Sequence, residues 1–223
     1  MFVRTKISFV IIPLILLNFL LCSCAFDKAT PEEAGWRLVF SDDFNRKELG
    51  KDWKIVNGKW TVNNGYLRGG GTLMCTRNFF KGKDQGALRL EFEAASDVQP
   101  VLSFKNRPKF KVVVSDIDAF MNALPLSSGQ SPLSSGYFFQ FGGYNNEKNQ
   151  IRKNGSSVAV DKKLDTLIVN DQRHEVVVEN DRGSLRFLVD GKLILKYQDK
   201  HPILDPQHNR LGFYFFTAAK RFK

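Results

Sequence analysis

The sequence has few of the residues and motifs that usually announce an enzyme. Three cysteines and three histidines occur in 223 residues. There is no Cys-x-x-Cys pair, no His-Glu-x-x-His, no phosphate-binding glycine loop and no Gly-x-Ser-x-Gly elbow. These absences argue against zinc hydrolysis, P-loop nucleotide binding and elbow-type serine chemistry. No segment carries a sustained helical hydrophobic period, and only Asp118–Leu124 reads as one short helical turn. Acidic residues are outnumbered, 23 against 33 Lys and Arg, giving a formal net charge of +10. A basic balance suits nucleic acid, an anionic surface or an acidic polymer. The lysines, however, are scattered singly (Lys51, Lys54, Lys59, Lys81, Lys83), as on a solvated surface rather than a nucleic-acid patch.

The one long apolar run is N-terminal. Arg4 and Lys6 form a basic head, Ile7–Leu21 an apolar core, and Leu21-Cys22-Ser23-Cys24 ends it. The run is short for a membrane span and has the three regions of a secretory signal. It resembles a bacterial lipoprotein signal, with a small residue before the cysteine that is cleaved and acylated. The reading is a leader over 1–23, lipidation of Cys24, a tether over 24–35 and one domain over 36–223. That implies the cell envelope, outer membrane or cell surface, with attachment to the membrane through the N-terminal lipid and no nucleic-acid partner. With Cys24 acylated, Cys75 is the lone remaining thiol of the domain and reads as a small buried residue.

From Trp36 onward, short alternating runs dominate. Leu88, Leu90 and Phe92 alternate with Arg89, Glu91 and Glu93. Phe110/Val112/Val114, Tyr137/Phe139/Phe141, Leu185/Phe187/Val189 and Leu211/Phe213/Phe215 follow the same period of two. Such runs are strands with one buried face. Asn64-Gly65, Asp181-Arg182-Gly183 and Asp190-Gly191 supply tight hairpin turns between them. About a dozen strands at hairpin spacing predict an all-β, two-sheet antiparallel sandwich with Phe92, Val112, Phe139, Phe187 and Phe213 inward. Ile117–Gly136 breaks the texture and repeats Leu-Ser-Ser-Gly, which predicts a mobile rim loop or a substrate lid.

Two stretches carry a resemblance. Gly35–Leu67 has an Asp-Asp-Phe strand, a Trp, a Gly-x-Trp strand and an Asn-Gly hairpin; His174–Phe216 ends in a Val-Asp-Gly-Lys hairpin. They resemble the opening and closing of concanavalin A-like (laminin-G-like) jelly rolls, nearest the bacterial 3-keto-disaccharide hydrolase domain family. The resemblance implies a jelly-roll fold and glycoside processing. The middle segment Gly136–Gly155 departs from that family's pattern.

The candidate chemistry has several sources. Glu91 and Glu93 share one face of a strand, as the paired carboxylates of glycosidases do, but the third acid of that ladder is missing. His174 opens a strand and is a candidate general acid or base, or a structural histidine. Asp116 and Asp118 flank the unusual loop and can hold Ca²⁺, meet a sugar hydroxyl, or simply start a turn. Tyr137–Gln150 joins aromatic rings to amides, as poly- or oligosaccharide sites do, with Gln140, Tyr144, Asn145, Asn146, Asn149 and Arg152 as the contact set. Arg152 and Lys153 would suit anionic sugars. Three functions remain open at this point: a carbohydrate-binding lipoprotein, a glycoside-processing hydrolase, and a structural or protein-binding sandwich.

Overall fold

The computed structural model describes residues 2–4, 35–79, 86–96, 98–99, 113–114, 116–169 and 171–215. The leader cleavage site, Cys24, the tether up to residue 34 and the expected core residue Val112 lie outside them. The chain folds as a two-sheet antiparallel jelly-roll sandwich, as its alternating runs require.

The front sheet contains β2 (Trp53–Asn63), β3 (Tyr66–Cys75), β7 (Ile117–Ala123), β8 (Tyr137–Gly142), β9 (Lys148–Lys153), β10 (Ser156–Val160) and β14 (Arg210–Phe215). Its order is β10-β9-β8-β7-β14-β3, with β2 on the far side of β3. The back sheet holds β4 (Ala87–Ala95), β11 (Arg173–Asp181), β12 (Ser184–Val189) and β13 (Lys192–Gln198), in that order. A three-residue strand β1 (Phe2–Arg4) lies at the seam, with Val3 opposite both Leu67 of β3 and Ala94 of β4; it belongs to the stretch read as a leader, so cleavage before Cys24 would remove this bridge from the mature chain. The short strands β5 (Val98–Gln99) and β6 (Val113–Val114) pair with each other.

Between the sheets lies one apolar core. Phe139 of β8 meets Phe187 of β12 edge-on at 5.7 Å, and Phe213 of β14 meets Phe92 of β4 at 4.9 Å. Phe92, Phe139, Phe187 and Phe213 all point inward, and Trp53, Trp60 and Cys75 are buried there too. Asp42 fixes the approach to this core: it accepts Trp53 Nε1 at 2.7 Å, the Phe44 N–H at 2.9 Å and both guanidinium nitrogens of Arg46.

Two expectations fail in the same place. Ile117–Ala123 is the strand β7, not a helical turn, and every one of its residues is buried. Residues 124–135 are a docked loop rather than a mobile one. Leu126 and Leu133 cover a second apolar cluster of Val56, Met74, Phe120 and Phe138 on the outer face of the front sheet. Lys54 Nζ donates to the Leu126 carbonyl at 3.0 Å, the Leu124 N–H to Ser135 Oγ at 2.9 Å, and the Leu126 N–H to Met74 Sδ at 3.3 Å. A strand covered on both faces loses its alternation, so it does not read as a strand.

Candidate functional site

The outer face of the front sheet carries two neighbouring rows of side chains. One is apolar: Met74, Gly212, Phe120 and Phe138 stand directly opposite one another across four strands, under the 124–135 loop. Gly212 is required there, since a Cβ on it would lie 2.7 Å from Phe120 Cζ.

The second row is polar along its whole length. Asn57 pairs with Thr72, Thr72 with Tyr214, Tyr214 with Asp118, Asp118 with Gln140, and Gln140 with Gln150. Six polar residues from β2, β3, β14, β7, β8 and β9 thus form one line across the sheet. Strand parity puts five of them there: Thr72, Tyr214, Asp118, Gln140 and Gln150 each sit one residue from a core position, so their side chains leave by the opposite face, while Asn57 follows an irregularity in β2 after Ile55.

Hydrogen bonds within the row run in one direction. Ser157 Oγ donates to Gln150 Oε1 at 3.0 Å, Gln150 Nε2 to Gln140 Oε1 at 2.5 Å, and Gln140 Nε2 to Asp116 Oδ2 at 2.8 Å. The relay ends on a carboxylate. Asp118 is fully buried, and neither of its oxygens is held in a well-formed hydrogen bond, the Phe141 backbone and the Gln140 amide giving only a weak pull. Among the described residues, five buried side-chain N or O atoms lack a well-formed hydrogen bond; both Asp118 oxygens and Thr72 Oγ1 are three of them. The unsatisfied atoms therefore gather on either side of Tyr214, where the fold leaves polar capacity unused.

Burial sets the protonation of the acids. Desolvation lifts the Asp116 carboxyl to about 7, against the pull of the Gln140 amide. Burial raises Asp118 well above the carboxylate range, and the neighbouring Asp116 charge adds to the rise. Tyr214, part-buried and facing both acids, has its phenol raised by burial first and by Asp118 and Asp116 second. No Lys, Arg or His of the described residues forms an ion pair with either aspartate.

At the rim above Gln140 stands the single helical turn α1 (Gly143–Asn146). Gly143 packs on the amide so closely that a Cβ would lie 2.6 Å from Gln140 Oε1. The next residue, Tyr144, is 61% exposed in a left-handed conformation, with Lys148 Nζ 5.2 Å from its ring centre. An exposed ring can stack on the apolar face of a sugar; the amides and acids next to it, Asp116, Asp118, Gln140 and Gln150, are buried.

The structure redistributes the expected contact set. Gln140, Asp116 and Asp118 come together, with Tyr144 at the rim. Asn146 instead clamps Ile168, donating to its carbonyl at 2.8 Å and accepting its N–H at 2.9 Å. Asn149 is fully buried and ties the Gly142 N–H at 3.0 Å to Asp161 and the Thr166 carbonyl. The side chain of Asn145 is not described. Arg152 donates to the Gly155 carbonyl of its own hairpin, and Lys153 pairs with Asp199 at 2.7 Å. Both cations expected to attract anionic sugars are thus engaged elsewhere.

The expected catalytic groups are apart from this row. Glu91 and Glu93 lie on the outer face of the back sheet, on the opposite side of the sandwich. Glu91 pairs with Arg89 at 2.8 Å, and Arg89 and Arg186 both hold Glu179. Glu91 also borders a small apolar cleft of ≈ 80 Å³ lined by Phe40, Phe79 and Phe92. The other acid there, Asp42, is held by Arg46 and Trp53. His174 is buried, stacked edge-on against Phe141 at 5.2 Å. Its Nε2 accepts the Val169 N–H at 3.3 Å, which leaves the proton on Nδ1, 2.8 Å from Asp190 Oδ2. Both ring nitrogens are committed to holding the chain. As a Ca²⁺ cage the aspartate pair is sparse: no third acid or histidine joins it among the described residues, and calcium takes about six to eight oxygens. Gln150, one of the amides of the Tyr137–Gln150 stretch, joins the site, and Ser157, Thr72 and Tyr214 complete it; only parity signals those three, each a polar group at an outward position in its strand.

No protein-family model and no curated protein sequence matches the chain. Solved structures do. One was determined in connection with endo-acting O-glycanases that prominent members of the human gut microbiota express to initiate mucin breakdown. It is 18% identical, with a TM-score of 0.53 over 81% of this chain and 86% of that one. Another, a Bacillus subtilis protein of unknown function with a galectin-like fold, is 14% identical with a TM-score of 0.52, covering 74% and 83%. At these identities the likeness is one of fold: a galectin-like, concanavalin-type jelly roll.

Proposed function

We propose that this chain is a lipid-anchored envelope protein that binds a poly- or oligosaccharide at the polar row of its front sheet, with Tyr144 as the rim platform. The observation that carries the reading is the clustering of unsatisfied buried atoms, Asp118 Oδ1, Asp118 Oδ2 and Thr72 Oγ1, around Tyr214. A buried polar group without a partner costs about 1–3 kcal/mol, so a fold that keeps several in one line keeps them for a ligand. The jelly-roll relatives add support, since one of them comes from work on mucin-degrading glycanases. The hydrolase reading with Glu91 and Glu93 has less to rest on, because Glu91 is neutralised by Arg89 and faces the other side of the molecule.

A glycan array followed by calorimetry tests the site. Gln140→Ala and Tyr144→Ala are expected to weaken binding at least tenfold each, while Glu91→Gln leaves it unchanged. Binding that survives both site changes moves the site elsewhere; loss in Glu91→Gln favours the back sheet. For the anchor, globomycin is expected to accumulate the precursor, and Cys24→Ala to leave it unprocessed. Normal processing and membrane retention of Cys24→Ala would refute the lipid.

A further inference from the structure

We propose that the glycan taken up by this site carries a free amine, received by Asp118 and Asp116. The inference rests on the carbohydrate reading above and names its substrate class: amino sugars that are not N-acylated.

The argument is an inventory of donors and acceptors. The relay from Ser157 through Gln150 and Gln140 aims each donated hydrogen bond toward Asp116. Each amide oxygen in it is already accepting, Gln150 Oε1 from Ser157 and Gln140 Oε1 from Gln150. What the site leaves open at its buried centre is the Asp118 carboxyl, two oxygens in no well-formed hydrogen bond. Ionised, a carboxylate only accepts, and its natural complement is a group that only donates. An ammonium is such a group; a uronate, which only accepts, is its opposite.

Charge points the same way. Two carboxyls lie side by side with no cation of the described residues paired to either. Lys148, the nearest base at the rim, sits over the Tyr144 ring, and Arg152 and Lys153 are engaged with Gly155 and Asp199. With no cation beside them the buried acids hold their protons, because burial disfavours the ionised form. An ammonium is the group that would let them ionise in place and pair with it, whereas a neutral hydroxyl would satisfy hydrogen bonding without doing so. The full sequence carries a formal net charge of +10, which disfavours a polyamine at long range, so affinity for one must come from a local acidic site.

Calorimetry on the full chain separates the possibilities. The probes are oligosaccharides of glucosamine, galactosamine and mannosamine with free amines, their N-acetylated counterparts, and oligogalacturonate. At least one free-amine series is expected to bind tenfold or more tighter than its N-acetylated form, with no binding of oligogalacturonate. Asp118→Asn, which replaces the acceptor with an amide of the same shape, is expected to abolish the tenfold preference. Its melting curve, measured alongside, shows that the variant folds. Equal affinity for acetylated and free forms in all three series overturns the inference and leaves carbohydrate binding standing. Preference for oligogalacturonate, or an amine preference that persists in Asp118→Asn, overturns it as well. If no glycan of any class binds, the carbohydrate reading falls with it.

Discussion

Asp116 and Asp118 hold more free energy than their exposure suggests. An unfolded chain ionises Asp116 near 3.8, whereas the folded one does so at about 7. Over that interval the native state binds the proton more tightly than the unfolded state. This contribution to stability is therefore full below the lower value and is lost as pH rises through about 7. Asp118, raised further, acts with the same sign. The melting temperature is expected to fall as pH climbs from about 5 to 8, and Asp116→Asn and Asp118→Asn to flatten that slope and melt higher than wild type at about pH 8. Thermal melts across the range check this; a slope unchanged in both variants would mean other groups set it. Gly143 is the second residue to probe. Gly143→Ala drives a methyl into the Gln140 amide, so binding is expected to drop tenfold or more with little change in melting temperature. Residues such as Gln140 were legible from composition, because an amide amid aromatics stands out. Asn146 and Asn149 were misread for the same reason, since an amide that clamps a loop looks identical in sequence to one that meets a sugar.

Among the elements, β7 and the loop after it are where reading the sequence falls short. A half-buried strand such as Ala87–Ala95 announces itself by alternation. Ile-Asp-Ala-Phe-Met-Asn-Ala does not, because the core covers one face and Leu126 and Phe138 crowd the other. The 124–135 segment is rich in Ser and Gly, and only its two leucines hint that it docks. Leu126→Ala is expected to cost about 2–4 kcal/mol in urea unfolding and to expose the loop to limited proteolysis. A variant as stable and as protease-resistant as wild type would show the loop to be a passive cover. The loop roofs the apolar row, beside which the polar row runs.

At the scale of the whole molecule, most of the fold was written in the alternating runs and the Asn-Gly and Asp-Gly turns. The inward set Phe92, Phe139, Phe187 and Phe213 follows from them directly. Phe187→Ala is expected to cost about 3–5 kcal/mol, since its ring is fully buried against Phe139 between the sheets. An unchanged melting temperature would contradict this register. The order of strands was not legible. Hairpin neighbours declare themselves through short turns, whereas β14 lying between β3 and β7 pairs residues more than eighty positions apart along the chain. The site inherits this opacity: Thr72, Asp118, Gln140, Gln150 and Tyr214 come from five strands and share no local motif.

Insertion of β14 between β3 and β7 has a consequence for the order of events during biosynthesis. A chain made from its N-terminus releases Thr72 first, then Asp118, Gln140 and Gln150, and Tyr214 after all of them. Until Arg210–Phe215 takes its place, the two halves of the row belong to separate pieces of sheet, and Asp118 has no Tyr214 beside it. The row is thus the last feature the nascent polypeptide completes. An arrested or prematurely terminated product lacking β14 would keep its hairpins yet leave the row in two separate pieces.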